Sequence, residues 1–187
     1  QPASREVLDE KTSFVMVSLL RSVVDHGTGW PARGKYEFRA PAGGKTGTTD
    51  DYTDAWFVGF IPRLCCGVWV GFDEKRTIGT KMTGAAAALP AWAGFMKEAV
   101  KVYGEEEFPS PPGMVSVLTC AETGLLAAPG CPKVVSDAYE PGSVPVESCP
   151  VHADLPPVQR TAPPPESEPD AEAPAPEPVT PEAAPSR

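Results

Sequence analysis

Three strand-like runs fall within thirty residues, at 43–49, 54–61 and 65–72, and only Pro62-Arg63-Leu64 separates the last two. A break that short joins neighbouring antiparallel strands, because a parallel pair needs a crossover of a dozen residues or more. Within the runs Trp56, Val58 and Phe60 alternate with Phe57, Gly59 and Ile61, and Val68, Val70 and Phe72 alternate with Trp69 and glycines. Both faces of such a sheet are apolar, so a sheet covered on both sides is expected, with Trp56 and Trp69 in its core.

Helices frame the strands. Leu8, Val15, Leu19 and Val23, with Met16, Leu20 and Val24 one row over, recur at steps of three and four and predict an amphipathic helix over about 9–26. Asp9 is its expected cap, His26 stands in its last turn, and Gly27 ends it. A loop rich in Gly, Pro and Arg is expected over 27–41. A second helix is predicted over 83–103, where Thr83-Gly84 and an alanine run precede Trp92, Phe95, Met96, Val100 and Tyr103, with Gly104 as a stop and Pro90 kinking or delaying the start. The class is therefore α+β: an antiparallel sheet of about three strands flanked by helices. Such a set barely closes a core and leaves a sheet edge open, so further elements are expected to come from elsewhere.

Composition divides the chain into three parts. Residues 1–108 hold the helices and strands with nearly balanced charge. A short cysteine-bearing, loop-rich extension follows at 109–152, after Pro109, Pro111, Pro112 and Gly113. From 153 to 187 the chain is rich in Pro, Ala and Glu and has no aromatic residue, so that tail is expected to be disordered. Much of the net charge of -9 lies outside the first part. No basic face of the kind that binds a phosphate backbone is present, which excludes nucleic acid as a partner. No apolar run is long enough to cross a bilayer. The sequence opens at Gln1 without an initiator Met, and a piece of a longer polypeptide is expected.

The chemistry-bearing stretch is Gly44-Lys45-Thr46-Gly47-Thr48-Thr49. Glycines on a strand let a ligand lie against the backbone, Lys45 offers a fixed positive charge, and Thr46 and Thr48 offer hydroxyl donors to a carboxylate. A strand N–H can also face a developing oxyanion, so these parts suit acyl transfer on a peptide that ends in a carboxylate. Two other readings compete. A strand edge protected by lysine accounts for the same residues without chemistry. A phosphate loop fails, because Arg39 stands where its first glycine belongs and an acidic turn and strand follow instead of a helix.

The longer run from Gly44 to Gly59 resembles the transpeptidase domain of bifunctional class A penicillin-binding proteins. Ser18 to Gly29 resembles the family's helix and Gly-Thr-Gly turn, and Gly67 to Asp73 and Ala88 to Met96 resemble its last strand and closing helix. The resemblance spans about residues 7–101 and implies an incomplete transpeptidase fold. Of the family's three motifs only Lys-Thr-Gly is present. No Ser or Thr has a lysine three positions later and the chain has no asparagine, so the Ser-x-x-Lys and Ser-x-Asn motifs are expected in an upstream part of the same polypeptide. The resemblance implies that Lys45 helps orient the second motif's serine and offsets substrate charge. Thr46 and Thr48, with Gly47 and more weakly Thr49, would bind the carboxylate, and the Thr48 N–H would complete the oxyanion hole.

It also implies peptidoglycan stem peptides and β-lactams as ligands, and a parent anchored outside the cytoplasmic membrane that also carries a glycosyltransferase. The chain alone is expected to be inactive. A carboxypeptidase or β-lactamase relative, and a non-catalytic module that binds cell-wall assembly partners through its tail, are the alternatives.

Other residues are read more plainly. Asp50, Asp51 and Asp54 are turn residues, Trp92 belongs to the core, and Trp30 in its loop is left open. Cys65 and Cys66 point to opposite faces of a strand as small packing residues. Cys120, Cys131, Cys149 and His152 have the inventory of a structural zinc site, but no Cys-x-x-Cys arm faces the last pair. No metal or cofactor is therefore expected, and an exported protein of this type is expected to oxidise two of these thiols.

Overall fold

The computed structural model describes residues 7–158. Helix α1 runs over Glu10–Asp25, and the Asp9 carboxylate caps it by accepting the N–H groups of Lys11 at 3.1 Å and Thr12 at 3.0 Å. His26 is its C-cap, with its N–H directed at Ser22 and Val23 carbonyls. The turn at Gly27, Thr28 and Gly29 then folds back onto the helix end, where the Gly29 N–H reaches the Val23 carbonyl at 2.9 Å.

The expected loop over 27–41 contains a single helical turn, α2 (Pro31–Gly34), opened by its own proline. Four residues are too few to show a period, which is why the sequence does not announce it. Arg33 on this turn is buried. Its guanidinium pairs with Asp25 at 2.8 Å and donates to the carbonyls of Phe38 and Ala40, both at 2.8 Å. The arginine thus ties the end of α1 to the segment that leads into the sheet.

Strands β1 (Gly43–Thr48), β2 (Asp54–Ile61) and β3 (Leu64–Gly71) form one antiparallel sheet in the order β1-β2-β3. Ile61 pairs with Leu64, so the hairpin turns on Pro62 and Arg63 alone. One face carries Ala55, Phe57 and Ile61 under α3 (Leu89–Tyr103), which is preceded by a π-helical turn at Gly84–Ala88. Thr83 caps that turn by accepting the Ala86 N–H, and Pro90 sits within the first turn of α3, directly after the wider π-helical turn. Trp92 is the hub of this layer. Its ring meets Phe57 at 4.9 Å and Phe38 at 5.2 Å, both edge-on, and it lies so close to Gly59 that a Cβ there would fall 2.6 Å from the indole. Each such buried ring contributes about 1.5–3 kcal/mol by burial alone.

The opposite face corrects one expectation. Helix α1 covers only part of it, and Trp56, Val58 and Trp69 remain 42–45% exposed, the two indoles 6.3 Å apart. Alternation fixes which side a residue takes but not whether anything covers that side. Cys65 is likewise exposed, whereas Cys66 packs against the core.

Beyond Phe108, whose ring meets Phe60 at 5.6 Å, the extension forms a separate antiparallel pair, β4 (Val115–Cys120) and β5 (Val134–Tyr139). It borders α1, where Lys11 pairs with Glu140 at 3.7 Å. The tail expected over 153–187 lies outside the described residues from 159 onward; at 158 the Val158 N–H is still bonded to the Pro129 carbonyl.

Candidate functional site

Among the described residues, strand β1 has a neighbour on one side only. Thr49, just past its end, donates its N–H to the carbonyl of Asp54 directly opposite, at 3.1 Å. In an antiparallel ladder alternate residues point to the same side, so Lys45 and Gly47 also direct their backbone groups at β2. Thr46 and Thr48 then present N–H and C=O groups at the open edge. The Lys45 ammonium agrees with this, since Nζ donates to the Thr46 carbonyl at 2.8 Å and lies 3.5 Å from Thr46 Oγ1.

Side chains complete the edge. Thr46 Oγ1 is 2.9 Å from Thr28 Oγ1, which joins the strand to the turn after α1. Thr48 Oγ1 accepts the Gly84 N–H at 3.0 Å, which leaves its own hydroxyl hydrogen available as a donor. Thr46 and Thr48 lie on the face of Phe57 and Ala55, and Lys45 and Gly47 on the other, as strand alternation requires. Lys45, Thr48 and Thr49 are exposed, and Thr46 and Gly47 are half-buried.

Thr49 also ties the strand end to β2. Its Oγ1 accepts the Asp54 N–H at 2.8 Å and meets Thr53 Oγ1 at 2.8 Å, so it closes the β1–β2 connection. Asp54 is more than a turn residue. It accepts the Trp69 indole N–H at 2.9 Å, which first, with the Thr53 hydroxyl second, holds its carboxyl below the usual range. Asp50 and Asp51 sit on a 3-10 turn in which Asp51 and Tyr52 take left-handed backbone angles.

The glycines are bare for a reason the sequence does not show. A Cβ on Gly44 would fall 2.7 Å from the Phe57 ring, so packing beneath the strand excludes a side chain there. Gly84, which sequence reasoning places only at a helix start, is held even more tightly: a Cβ would lie 2.3 Å from the Trp56 carbonyl and 2.8 Å from that of Gly47. Thr28 and Gly84 are thus the site-shaping residues that spacing alone misses. Thr28 could be found in the Gly-Thr-Gly turn, but Gly84 carries no local signal.

This geometry can be set beside known proteins. A family model described as the penicillin-binding protein 1A C-terminal domain matches residues 110–154. Penicillin-binding protein 1A of Aquifex aeolicus is 41% identical over 143 residues, which cover 75% of this chain and 19% of that protein. The Pseudomonas aeruginosa protein of the same name is 38% identical over 139 residues, 74% of this chain and 16% of that one. The crystal structure of Haemophilus influenzae penicillin-binding protein 1A superposes with a TM-score of 0.65 at 31% identity, covering 76% of this chain and 22% of that structure. The chain belongs to the class A penicillin-binding proteins. It corresponds to their C-terminal part and spans about a fifth of the length of these relatives. The α+β architecture, with its antiparallel sheet and helices, matches that structure.

The family model falls on the extension, and there the structure differs from the expected disulfide. Cys120, Cys131 and Cys149 are all free thiols, all buried, and with His152 they bring four donor atoms within 4.8 Å of one another. His152 Nδ1 lies 3.3 Å from Cys149 Sγ and 3.5 Å from Cys120 Sγ. Its Nε2 faces the Glu122 carboxylate at 3.3 Å. Burial by itself raises the Cys120 thiol, but N–H groups of Thr123 and Glu122 directed at the sulfur bring it down to about 6. Cys149 is lowered mainly by the Thr123 hydroxyl, and His152 is raised mainly by Cys149. Cysteine spacing does not show that these four side chains meet, because they come from three separate segments that only the fold of the extension brings together.

Proposed function

We propose that the chain forms one wall of a peptidoglycan D,D-transpeptidase site, in which a serine from an upstream part of the polypeptide attacks a D-Ala-D-Ala stem peptide. The acyl group then passes to an amine on a neighbouring strand, and β-lactams acylate the same serine. The observation that carries this reading is the open edge of β1, where Thr46 and Thr48 present their backbone groups beside Lys45. A substrate laid along that edge in an extended conformation would pair with the strand, as an added β-strand does.

The roles follow from the contacts. Lys45 supplies positive charge next to the nucleophile's expected position. The Thr46 and Thr48 hydroxyls, steadied by Thr28 and the Gly84 N–H, are placed to bind a carboxylate. The Thr48 N–H at the open edge is the donor for the oxyanion, an interaction that gains strength as negative charge develops on the carbonyl oxygen. Gly47 keeps the approach clear, and Thr49 supports the strand end.

This reading also sets the parent protein on the outer face of the cytoplasmic membrane, held by a helix upstream of this chain and accompanied by a glycosyltransferase. No helix among the described residues is long and apolar enough to cross a membrane. Covalent labelling with a fluorescent penicillin tests the proposal. The full-length protein is expected to label and the 187-residue chain alone is not; a full-length protein that stays unlabelled would contradict it, and labelling of the isolated chain would contradict the need for an upstream serine.

A further inference from the structure

We propose that Cys120, Cys131, Cys149 and His152 bind one zinc ion as a closed structural site that holds the C-terminal extension together. The inference does not depend on the acyl-transfer reading. It rests on donor type, geometry, surroundings and the poverty of the local core.

Three thiols and one imidazole are a donor set that suits zinc, whose bonds to sulfur and nitrogen are about 2.3 and 2.0 Å long. A tetrahedron with those bonds separates its donors by about 3.5–3.8 Å. The two sulfur-to-imidazole separations here are 3.3 and 3.5 Å, and every donor pair lies within 4.8 Å. A disulfide would instead bring two sulfurs to about 2.05 Å. Three cysteines also cannot pair among themselves without leaving one over, and Cys65 and Cys66 stand on a different sheet.

The surroundings fit as well. His152 turns Nδ1 to the sulfurs and Nε2 to Glu122, so a carboxylate fixes the ring from behind with the proton on Nε2. The Ala128 N–H is directed at Cys131 Sγ at 3.2 Å. With all three cysteines bound as thiolates, any remaining thiol protons leave to solvent and a dication meets three negative sulfurs, so the site keeps one negative charge for such N–H donors to offset. Four protein donors leave no open position, which makes the site structural and not hydrolytic.

The extension needs such a clamp. Its buried cluster consists of Cys120, Ala128, Cys131 and Cys149, with Ala127 and Val134 packed alongside, so the donors are most of the core. A unit this small seldom buries enough apolar surface to hold itself together, and metals are a usual remedy. The ion would join the end of β4, the turn before β5 and the segment beyond it.

The test uses the full-length protein, purified without chelator and kept reduced. One zinc per chain is expected by elemental analysis, lost in Cys149→Ser and in His152→Ala and kept in Cys65→Ser. If those two variants do not fold, cobalt loaded into the metal-free wild-type protein should give the visible bands and thiolate charge-transfer band of a tetrahedral site. Absence of zinc together with absence of that cobalt spectrum overturns the proposal, as does a disulfide between two of Cys120, Cys131 and Cys149 in protein purified without reductant. Penicillin labelling of the same preparation reads the transpeptidase proposal separately, so either can fail alone.

Discussion

The sheet layer and the extension solve the same problem with opposite materials. Between β2 and α3 the chain buries Trp92, Phe57, Phe38, Leu89 and Met96, large and mostly apolar groups that close-pack against one another. The extension has almost none of these and buries three thiols and an imidazole instead. The lesson is that length of chain per core decides the material: about a hundred residues support an apolar core, while some forty-five do better with a few strong, directional bonds.

The sharpest way to break this comparison is Trp92→Ala. Removing the hub ring should cost about 3–5 kcal/mol in a denaturant or thermal melt of the full-length protein while leaving the zinc content unchanged. Loss of both together would show that the two regions are one cooperative unit. Next in size is Lys45→Ala, which should slow penicillin acylation about a hundredfold with an unaltered melt, because an exposed lysine contributes to the site and not to the core. Equal losses in melt and labelling would place Lys45 in the scaffold. Gly84→Ala comes third. Its new methyl group would press on the Trp56 and Gly47 carbonyls, so about 1–3 kcal/mol of stability and a slower acylation should be lost together.

The smallest effect concerns acid. Because the Trp69 indole N–H stabilises ionised Asp54, the folded pKa lies below the unfolded value near 3.8. That contribution is present above the unfolded pKa and is lost as the pH falls through the lowered one. Trp69→Phe should therefore lower the neutral plateau of a stability–pH curve slightly and flatten its acid limb, with stability at the most acid end little changed, and an acid limb of unchanged slope would argue against the bond.

Much of this was legible in the chain. The hairpin, the two long helices with the Asp9 cap of the first, and the Lys-Thr-Gly strand with its free edge all rest on local spacing and turn chemistry, which act over a few residues. What stayed hidden depends on long-range placement. The exposure of Trp56 and Trp69 depends on which elements cover that face, the packing reason for Gly44 depends on Phe57 thirteen residues away, and Gly84 reaches Thr48 across thirty-six positions. The Cys120–Cys131–Cys149–His152 cluster is the clearest case, since no spacing rule predicts a site assembled by strand pairing.

The central claim is that the open edge of β1 receives the ligand, and backbone hydrogen exchange tests it most directly. In full-length protein acylated by a β-lactam, the Thr46 and Thr48 amides should exchange more slowly than in the free protein, while the Lys45 and Gly47 amides, already directed at β2, should change little. Unchanged exchange at Thr48 in fully acylated protein would contradict the account.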